Sequence, residues 1–394
     1  MPSYARFEAK LSEIARAEGT RALEALSTPQ GAQIAINGQR LLNFCSNDYL
    51  GLANHPEIVS ALQEGARRYG AGAGAAALLS GYSEAHDALA ETLARVTGRD
   101  RAVVFSSGYM ANLGLLSGLI SRDETVISDE LNHASLIDGV RLSRAKNVRY
   151  PHGDMHALAT ALEGALPERT WVVTDGVFSM DGDLARLPQI AALAARHRAM
   201  LICDDAHGFG VLAGGRGILA HFGLNQDDVP LLMVTFGKAL GTMGAAVIGP
   251  AVLIDNIIQR SRPFIYDTAS SPALAFATTA AIHLATTDDQ RHRQLIKNIE
   301  YFRAAAHVTG LPLSGSHTPI QPLWVGEGGA ALKIAAGLRE KGLYVRAIRP
   351  PTVPLGTARL RICISAVHES RHLDQLVDAL AQYRTQFQLG KADA

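Results

Sequence analysis

Lys238 is the residue whose surroundings best suit covalent chemistry. It lies in VTFGKALGTMG (234–244), an apolar, glycine-rich stretch, whereas the other six lysines lie among polar or helical, surface-like residues. Burial in such a stretch removes hydration from an ammonium and is expected to lower its pKa. A lysine with a lowered pKa can form an imine with a carbonyl group. A lysine that reaches solvent from the end of a strand would have a similar local sequence, so this segment alone leaves both interpretations open.

A second group of polar residues lies upstream of Lys238. The segment MLICDDAHG (200–208) indicates a short apolar strand that ends in two carboxylates and a histidine. In open α/β sheets, ligands collect at the carboxyl ends of such strands. Side chains alternate along a strand, so only one of Asp204 and Asp205 can face a given side. We favour Asp204 as the site residue, with His207 close behind it; an aspartate that caps the following turn is the alternative.

These residues match the requirements of pyridoxal phosphate. The cofactor takes a lysine, a carboxylate that keeps the pyridine nitrogen protonated, a flat group over the ring and donors for its phosphate. SSGYMAN (106–112) follows an apolar strand and precedes a helical run, so it predicts an anion site at a helix N-terminus, where Gly108 allows close approach. Thr235, shortly before Lys238, is a second phosphate candidate. His133 is the candidate flat group, although a lone histidine is more often structural.

Six short motifs, in this order along the chain, resemble those of the α-oxoamine synthases, which are pyridoxal-phosphate enzymes of the aspartate-aminotransferase fold. They are SNDYLGL (46–52), SGYMAN (107–112), NHAS (132–135), DGVFSMDGD (175–183), DDAHG (204–208) and TFGK (235–238). A further segment, RPPTVPLGTARLR (349–361), with Ser365, Ala366 and His368 after it, resembles the branch of that family that condenses L-alanine with a pimeloyl thioester. The resemblance covers nearly the whole chain.

The resemblance implies a role for each cofactor-binding residue. It makes Lys238 the imine-forming lysine and Asp204 the partner of the pyridine nitrogen. His207 would then bond the ring hydroxyl, and His133 would stack on the ring. The remaining residues that it implies at the cofactor are Gly108, Tyr109 and Thr235 at the phosphate, Ser179 close by, and Thr268, which would reach the phosphate of the neighbouring subunit.

The resemblance also implies the substrates and the assembly. Asn47 and Arg361 would meet the carboxylate of the amino acid, and Arg21 would contact substrate from the amino-terminal segment. Arg21 and Arg349 are the candidate cations for the tail carboxylate of a pimeloyl group. The reaction would be a decarboxylative condensation of L-alanine with pimeloyl on coenzyme A or acyl carrier protein, a step of biotin synthesis. A cytoplasmic homodimer with shared active sites is the expected working unit.

Two segments depart from the family pattern. The loop that precedes Ser80, residues 70–79, is made of glycine, alanine and leucine and has neither the hydroxyls nor the cation that relatives show there. Asp175 stands where the family has glutamate. Because this loop lies near the thioester entrance in the family, we expect weak discrimination between pimeloyl and uncharged acyl chains of similar length.

Three alternatives to this function stay open. One is a sister enzyme of the same family that takes glycine and a short acyl thioester, and the segment RPPTVP (349–354) argues against it. The second is an aminotransferase of the same fold. The third is a non-catalytic partner subunit that kept the fold, and the retention of Lys238 argues against it.

The global composition agrees with a globular enzyme. Hydrophobic residues make up 47% of the 394 residues, and 37 basic residues balance 37 acidic ones, so no strong field favours nucleic acid or an acidic membrane. Three widely spaced cysteines have neither metal-ligand nor disulfide spacing, which fits a reducing compartment. His152 and His156 share a loop and are interpreted as surface residues, so no metal site is predicted.

The order of elements positions the candidate residues. Strand-like runs at 102–106, 125–128, 171–174, 200–204, 231–235 and 244–249 alternate with helix-like runs, and this alternation predicts an α/β fold with a mostly parallel sheet. Strand-like runs near 323–325 and 360–364, with helices after them, predict a smaller C-terminal α+β domain. We expect an amino-terminal helical segment over 1–45, a large domain over 46–285 and a small domain over 286–394. This is the aspartate-aminotransferase-like architecture, also called fold type I, that the resemblance implies.

Overall fold

The computed structural model describes residues 4–16 and 19–387, which form two compact units. One unit is Asn47–Ile296, and the other joins the described residues before Asn47 to those from Lys297 onward. The division after Ile296 falls within a helix that spans Asp289–Val308. No helix within the described residues is both long and apolar enough to cross a membrane.

Helices and strands alternate along most of the chain. The helices are α1 (Ala5–Arg16), α2 (Pro56–Tyr69), α3 (Glu84–Thr97), α4 (Gly108–Leu119), α5 (Ala134–Ser143), α6 (Met155–Glu163), α7 (Leu187–Arg196), α8 (Ile218–Phe222), α9 (Ala251–Arg260), α10 (Arg262–Ile265), α11 (Pro272–Thr287), α12 (Asp289–Val308), α13 (Gly328–Glu340) and α14 (Ser370–Gln386), with a π-helical turn at Ala77–Gly81. The strands are β1 (Gln33–Ile36), β2 (Gln39–Asn43), β3 (Arg101–Phe105), β4 (Thr125–Asp129), β5 (Lys146–Tyr150), β6 (Thr170–Asp175), β7 (Met200–Asp204), β8 (Leu231–Thr235), β9 (Ala245–Gly249), β10 (Ile320–Gly326), β11 (Leu343–Tyr344), β12 (Arg346–Ile348) and β13 (Ala358–Cys363).

A seven-stranded sheet, in the order β3-β9-β8-β7-β6-β4-β5, forms the centre of the larger unit. Only β9 runs against its neighbours, and the pairs from β8 to β5 are parallel. The predicted α/β fold with a mostly parallel sheet is therefore confirmed. Strand β5 was not predicted, because its sequence KNVRY is charged and only Tyr150 of the five residues is buried at this sheet edge.

The sheet is covered on both faces. Val126, Val173 and Ile202 belong to one cluster with Leu115 and Leu116 of α4. The residues that alternate with them along the same strands, Ile127, Val172 and Leu201, are also at most 1% exposed. Strands buried on both sides have continuous apolar sequences, which explains why β6, β8 and β9 lack polar alternation.

The smaller unit contains two three-stranded sheets. Strands β10, β13 and β12 form an antiparallel sheet, and β1, β2 and β11 form the other. Helix α13 contributes Ile334 and Leu338, both at 0% exposure, and α14 contributes Leu373 and Leu376, also at 0%. The predicted smaller α+β unit is confirmed, and it includes β1 and β2 from the amino-terminal part of the chain as well.

Candidate active site

Parallel strands of the larger unit end in polar residues at one edge of the sheet. Asp129, Asp175, Asp204 and Thr235 are the last residues of β4, β6, β7 and β8. Asp175 and Asp204 are direct partners in the pairing of their strands. Ligands bind at the carboxyl ends of the strands in open α/β sheets. The predicted residues Asp204 and Thr235 lie at such strand ends, as expected from the sequence.

Asp204 bonds a side chain of the helix at the predicted phosphate site, and its charge acts on His133. Its Oδ2 atom accepts a hydrogen bond from Asn112 Nδ2 at 2.7 Å, and its Oδ1 atom accepts one from the backbone N–H of Ala206 at 2.9 Å. The carboxylate is only 3% exposed, so these two donors fix its orientation. Strand alternation alone did not decide between the two aspartates, and these hydrogen bonds favour Asp204 as the site residue.

Asp205 serves the fold. Its Oδ2 atom accepts a hydrogen bond from the backbone N–H of Ile218 at 2.8 Å and so fastens the start of α8. Gly217, with φ of +89°, passes so close that a Cβ atom there would lie 2.1 Å from the same oxygen. Complete burial raises the pKa of Asp205 well above its usual range, which suits a structural carboxyl group.

His133 lies at the first turn of α5 and is held from two sides. Its backbone N–H donates to Asp175 Oδ2 at 2.6 Å, and its Nδ1 atom lies 2.7 Å from Ser135 Oγ. Burial lowers the pKa of His133, and the positive charge of Lys238 lowers it further, although Asp204 opposes them. A lowered pKa favours the neutral imidazole over the charged one.

Asp175 has a defined task in this arrangement. It fixes the backbone of His133 while lying beside Asp204, and burial followed by the Asp204 charge raises the pKa of Asp175 well above its usual range. The shorter aspartate side chain, at the position where the family has glutamate, therefore still reaches the loop that carries the histidine.

His207 is joined to the SNDYLGL segment. The hydroxyl of Tyr49, which is fully buried, lies 2.8 Å from His207 Nδ1 and donates to Asn47 Oδ1 at 3.2 Å. The hydroxyl of Tyr49 thus connects His207, the predicted partner of the cofactor's ring hydroxyl, to Asn47, a predicted partner of the substrate carboxylate. Tyr49 itself was not predicted as a site residue.

Lys238 lies in the turn between β8 and β9. The backbone N–H of Gly241 bonds the carbonyl of Lys238 at 2.9 Å. Gly241 has φ of +65°, and a Cβ atom there would lie 2.2 Å from the backbone nitrogen of Ala53. Glycine is thus required at position 241, and the tight turn holds the backbone of the lysine. Lys238 is close enough for its charge to act on His133 and Asp175, and also on Asp205, whereas its own lowered pKa stays a prediction.

The amino terminus of α4 offers donors for an anion. Ser107 caps the helix, with its Oγ atom accepting from the N–H of Met110 at 3.2 Å. In the part of the chain that the structure describes, the N–H groups of Gly108 and Tyr109 have no hydrogen-bond partner. Thr235 lies against Gly108 and donates to the carbonyl of Gly244 at 3.1 Å, so its hydroxyl oxygen can still accept. Free amides at a 12-residue helix start match the predicted phosphate site.

The remaining predicted cofactor residues have different local settings, and their roles stay predictions. Tyr109 is 42% exposed and its hydroxyl bonds Asp138. Ser179 is half-buried in the loop between β6 and α7. Thr268 pairs with Ala76 in an isolated bridge, which ties the alanine-rich loop to the segment before α11.

Three of the four predicted substrate residues belong to the smaller unit, whereas Asn47 belongs to the larger one. Arg361 lies on β13 and donates to Cys363 Sγ at 3.0 Å. Arg349 donates to the carbonyl of Thr20 at 3.3 Å, and Arg21 is exposed. The roles of these arginines stay predictions.

Four buried residues with polar groups support the site but were not predicted from the sequence, namely Tyr49, Asn112, Ser135 and Asp175. Asp175 was noted only as a departure from the family, and not as the residue that holds the backbone of His133. Each of the four lies inside a motif that was singled out for a neighbouring residue. For Asn112 and Asp175 the signal was a polar side chain in a mainly apolar segment, which in a folded protein requires hydrogen-bond partners.

His152 is not a plain surface residue, and that interpretation was wrong. Its ring bonds Asp129 at 3.1 Å and Asp183 at 2.9 Å, and its side chain is 27% exposed. Hydrogen bonds that the ring donates to these carboxylates, Asp129 first, raise the pKa of His152 to about 10. His156 is exposed, as expected. No group of three or more histidine, cysteine, aspartate or glutamate side chains among the described residues could hold a metal ion.

We expect His152→Gln to lower stability in a pH-dependent way. Because the folded-state pKa lies above the usual value of 6.5, the stabilisation by charged His152 is complete below that value and disappears as pH rises through about 10. The loss at pH 6 should be roughly 1–3 kcal/mol, reduced by partial exposure. Thermal unfolding at pH 6 and pH 10.5 measures it, with His156→Gln as the matched control. An equal loss at both pH values would contradict the assignment.

Comparisons with known proteins agree with this geometry. The family model described as aminotransferase class I and II matches residues 39–380. An 8-amino-7-oxononanoate synthase from Pseudomonas putida is 51% identical over 387 residues, which cover 98% of each chain. A serine palmitoyltransferase from S. paucimobilis, solved with PLP and myriocin bound, superposes with a TM-score of 0.92 at 26% identity and covers 98% of this chain and 100% of its own.

A solved 8-amino-7-oxononanoate synthase from Francisella tularensis superposes with a TM-score of 0.77 at 28% identity and covers 88% of this chain and 98% of its own. The family model spans most of the chain, and the Pseudomonas relative shares half of its positions over nearly the full length. On these grounds, the chain belongs to the class I and II aminotransferase family and, within it, to the α-oxoamine synthases that include the 8-amino-7-oxononanoate synthases.

Proposed function

We propose that this protein condenses L-alanine with a pimeloyl thioester. The products are 8-amino-7-oxononanoate, carbon dioxide and the free thiol, which makes the reaction a step of biotin synthesis. The observation that carries the proposal is the 51% identity, over 98% of each chain, to an 8-amino-7-oxononanoate synthase. The arrangement of Lys238, Asp204, His133 and His207 at one end of the sheet supports it independently.

Pyridoxal phosphate is the cofactor that this site fits. Lys238, Asp204, His207 and His133 match its aldehyde, pyridine nitrogen, ring hydroxyl and ring face, and the unpartnered amides at the start of α4 suit its phosphate. When bound, pyridoxal phosphate supplies an electron-accepting ring that stabilises negative charge on the carbon next to the amino group of the substrate.

The chain's own residues then supply proton transfer and positioning. The Nζ atom of Lys238 would remove the α-proton of alanine, and Asp204, with both oxygens fixed by donors, would hold the proton of the pyridine nitrogen. The α-carbon forms its new bond to the thioester carbonyl, the thiol departs, and the alanine carboxylate departs as carbon dioxide. A proton returned to the α-carbon completes the amino ketone.

Arginines are suited to the two carboxylates of these substrates. Arg361 would bind the alanine carboxylate, because a guanidinium can hold a carboxylate through two parallel hydrogen bonds, and Asn47 would add an amide. Arg349 and Arg21 are the cations proposed for the far end of the pimeloyl chain. Burying that carboxylate without a cation would cost several kcal/mol, so one of them must reach it or it must stay in solvent.

A panel of acyl thioesters tests the reaction and its selectivity. We expect alanine and pimeloyl thioester to give a product with the mass of 8-amino-7-oxononanoate. The ratio of kcat/KM for pimeloyl thioester to kcat/KM for octanoyl thioester should stay below roughly a thousand, because the loop of residues 70–79 has no hydroxyl or cation to recognise the carboxylate. A preference for pimeloyl above that ratio would show strong carboxylate recognition without this loop. Supplying the pimeloyl group on coenzyme A and on acyl carrier protein compares the two carriers.

The same panel separates the alternative functions. Activity with glycine and a short acyl thioester, and none with pimeloyl, would identify a sister enzyme such as 2-amino-3-ketobutyrate ligase. Amino-group transfer to a keto acid would identify an aminotransferase. The absence of turnover with every pair, from protein that binds pyridoxal phosphate, would favour a non-catalytic partner subunit.

A homodimer with shared active sites is the proposed working unit. Large apolar side chains next to the Ala76–Thr268 bridge are exposed in the single chain, with Leu79 at 82% and Tyr266 at 70%. Large exposed apolar side chains on two segments that a bridge joins support an interface here. The three cysteines are free, which fits the proposed cytoplasmic location.

We expect sedimentation to show a dimer at assay concentrations. Leu79→Glu should shift the protein towards monomer and lower its activity in parallel, because a charge at an apolar contact opposes association. Val308→Glu, a change at an equally exposed apolar residue of the smaller unit (86%), is the matched control and should do neither. A fully active monomer would remove the proposal.

A further inference from the structure

A chain of buried hydrogen bonds joins Asp204 to His133. Asn112 Nδ2 donates to Asp204 Oδ2 at 2.7 Å and to Ser135 Oγ at 2.9 Å, and Ser135 Oγ lies 2.7 Å from His133 Nδ1. Asn112 is 0% and Ser135 1% exposed. The two residues come from different helices, α4 and α5, and neither has an assigned role.

The positions of the hydrogens follow from the identity of these atoms. An amide oxygen cannot face a carboxylate oxygen at 2.7 Å, so the Asn112 side chain must turn its NH2 group towards Asp204. Its two hydrogens are then used on Asp204 and on Ser135. Because Ser135 Oγ accepts from Asn112, its own hydrogen is directed to the remaining partner, His133 Nδ1.

A second donor reaches the same ring nitrogen. The backbone N–H of Ser135 points to His133 Nδ1 at 3.3 Å. An atom that receives two N–H or O–H donors carries a lone pair and not a proton. The neutral imidazole therefore has its hydrogen on Nε2.

The free end of Asn112 supports this assignment. Its Oδ1 atom is buried and has no hydrogen-bond partner among the residues that the structure describes. A buried acceptor without a donor is unfavourable, so the Oδ1 atom does not favour asparagine at this position. The two N–H groups, which both donate hydrogen bonds, are what suit asparagine to it. An aliphatic side chain would fill the same space but leave both acceptors unpaired.

We propose that Asn112 and Ser135 are positioning residues that hold Asp204 and His133 in one network and fix His133 as the neutral Nε2–H tautomer. This role rests on the proposed function, in which Asp204 and His133 contact the cofactor. A neutral ring places no second positive charge against the protonated pyridine, and its Nε2–H group stays available as a hydrogen-bond donor to a bound ligand. The network also keeps the Asp204 carboxylate from rotating away from the ring nitrogen.

Nitrogen NMR of histidine tests the tautomer without any turnover. Protein labelled with ¹⁵N-histidine is measured with and without pyridoxal phosphate, and the His133 signals are assigned by their loss in His133→Asn. We expect Nδ1 to be the unprotonated nitrogen and Nε2 the protonated one. A proton on Nδ1 in the parent protein would overturn the proposal. Because this readout does not depend on the substrate, a protein inactive with alanine and pimeloyl thioester could still confirm it.

Ser135→Ala tests the network while keeping the helix. It removes the Oγ link but leaves the backbone N–H, and we expect a mixture of His133 tautomers and a loss of roughly tenfold in kcat/KM. The unfolding temperature should fall as well, because the second N–H of the buried Asn112 side chain loses its acceptor. Ser143→Ala, a buried serine of the same helix that bonds only the backbone of Val140 and Ala145, is the matched control. Identical tautomers and rates in both variants would refute the positioning role. Asn112→Leu should show the larger loss if it folds.

Discussion

Replacing Lys238 with alanine should abolish catalysis while leaving the fold intact. Its backbone holds the turn through Gly241, and this contact survives the change, so the unfolding temperature should stay close to that of the parent protein. Its ammonium, in contrast, is the proposed group for binding the cofactor aldehyde and for moving the α-proton. Loss of a positioned general base alone lowers rates by roughly 10²–10⁴-fold, and loss of the covalent attachment adds to it.

The measurement is kcat with alanine and pimeloyl thioester, together with binding of pyridoxal phosphate by equilibrium dialysis. Lys146→Ala, at an exposed position at the start of β5, is the matched control and should keep full activity. Small primary amines added to Lys238→Ala should restore part of the proton transfer. Activity of Lys238→Ala within about tenfold of the control would exclude the lysine from the chemistry.

Substitution of Asp204 should mainly lower catalysis, whereas substitution of Asp205 should mainly lower stability. An amide in Asp204→Asn cannot hold a proton on the pyridine nitrogen as a carboxylate does, so alanine α-proton exchange should fall roughly 10²–10³-fold. One of its two hydrogen bonds, to Asn112 or to Ala206, is lost as well, at a cost of about 1 kcal/mol in stability. Asp205→Ala should instead leave the N–H of Ile218 unpaired, at a cost of roughly 1–3 kcal/mol, and keep the exchange rate.

Exchange of the alanine α-proton into heavy water gives the first quantity, and chemical denaturation gives the second. The two variants control each other, because they are adjacent in sequence and both buried. Exchange at the parent rate in Asp204→Asn, with a loss in Asp205→Ala, would reverse the roles of the two carboxylates.

The sequence predicted the central sheet because its strands are short apolar runs buried on both faces. β7 and β8 were predicted with the observed bounds, since all but one of their ten residues are buried and all but the last of each strand are apolar or cysteine. β5 escaped prediction because an edge strand needs few apolar side chains. The amino-terminal segment 1–45 was predicted as helical, but among its described residues only Ala5–Arg16 form a helix, and Gln33–Ile36 and Gln39–Asn43 form strands β1 and β2.

The site was predictable where chemistry requires a rare residue in an unusual place, as for Lys238 and Asp204. It was not predictable where a residue acts through another. Asn112 and Tyr49 work through contacts with residues far away in sequence, which only the folded chain brings within hydrogen-bond distance. His152 was misread for the same reason, because its partners Asp129 and Asp183 lie 23 and 31 residues away.

The most direct test of the whole account is to find where the cofactor is attached. Protein loaded with pyridoxal phosphate is reduced with borohydride, digested, and its peptides are analysed by mass spectrometry. We expect a single pyridoxyl-modified peptide, with the added mass on Lys238, and no such peptide from Lys238→Ala. A pyridoxyl group on any other lysine, or none in protein that turns over alanine, would contradict it.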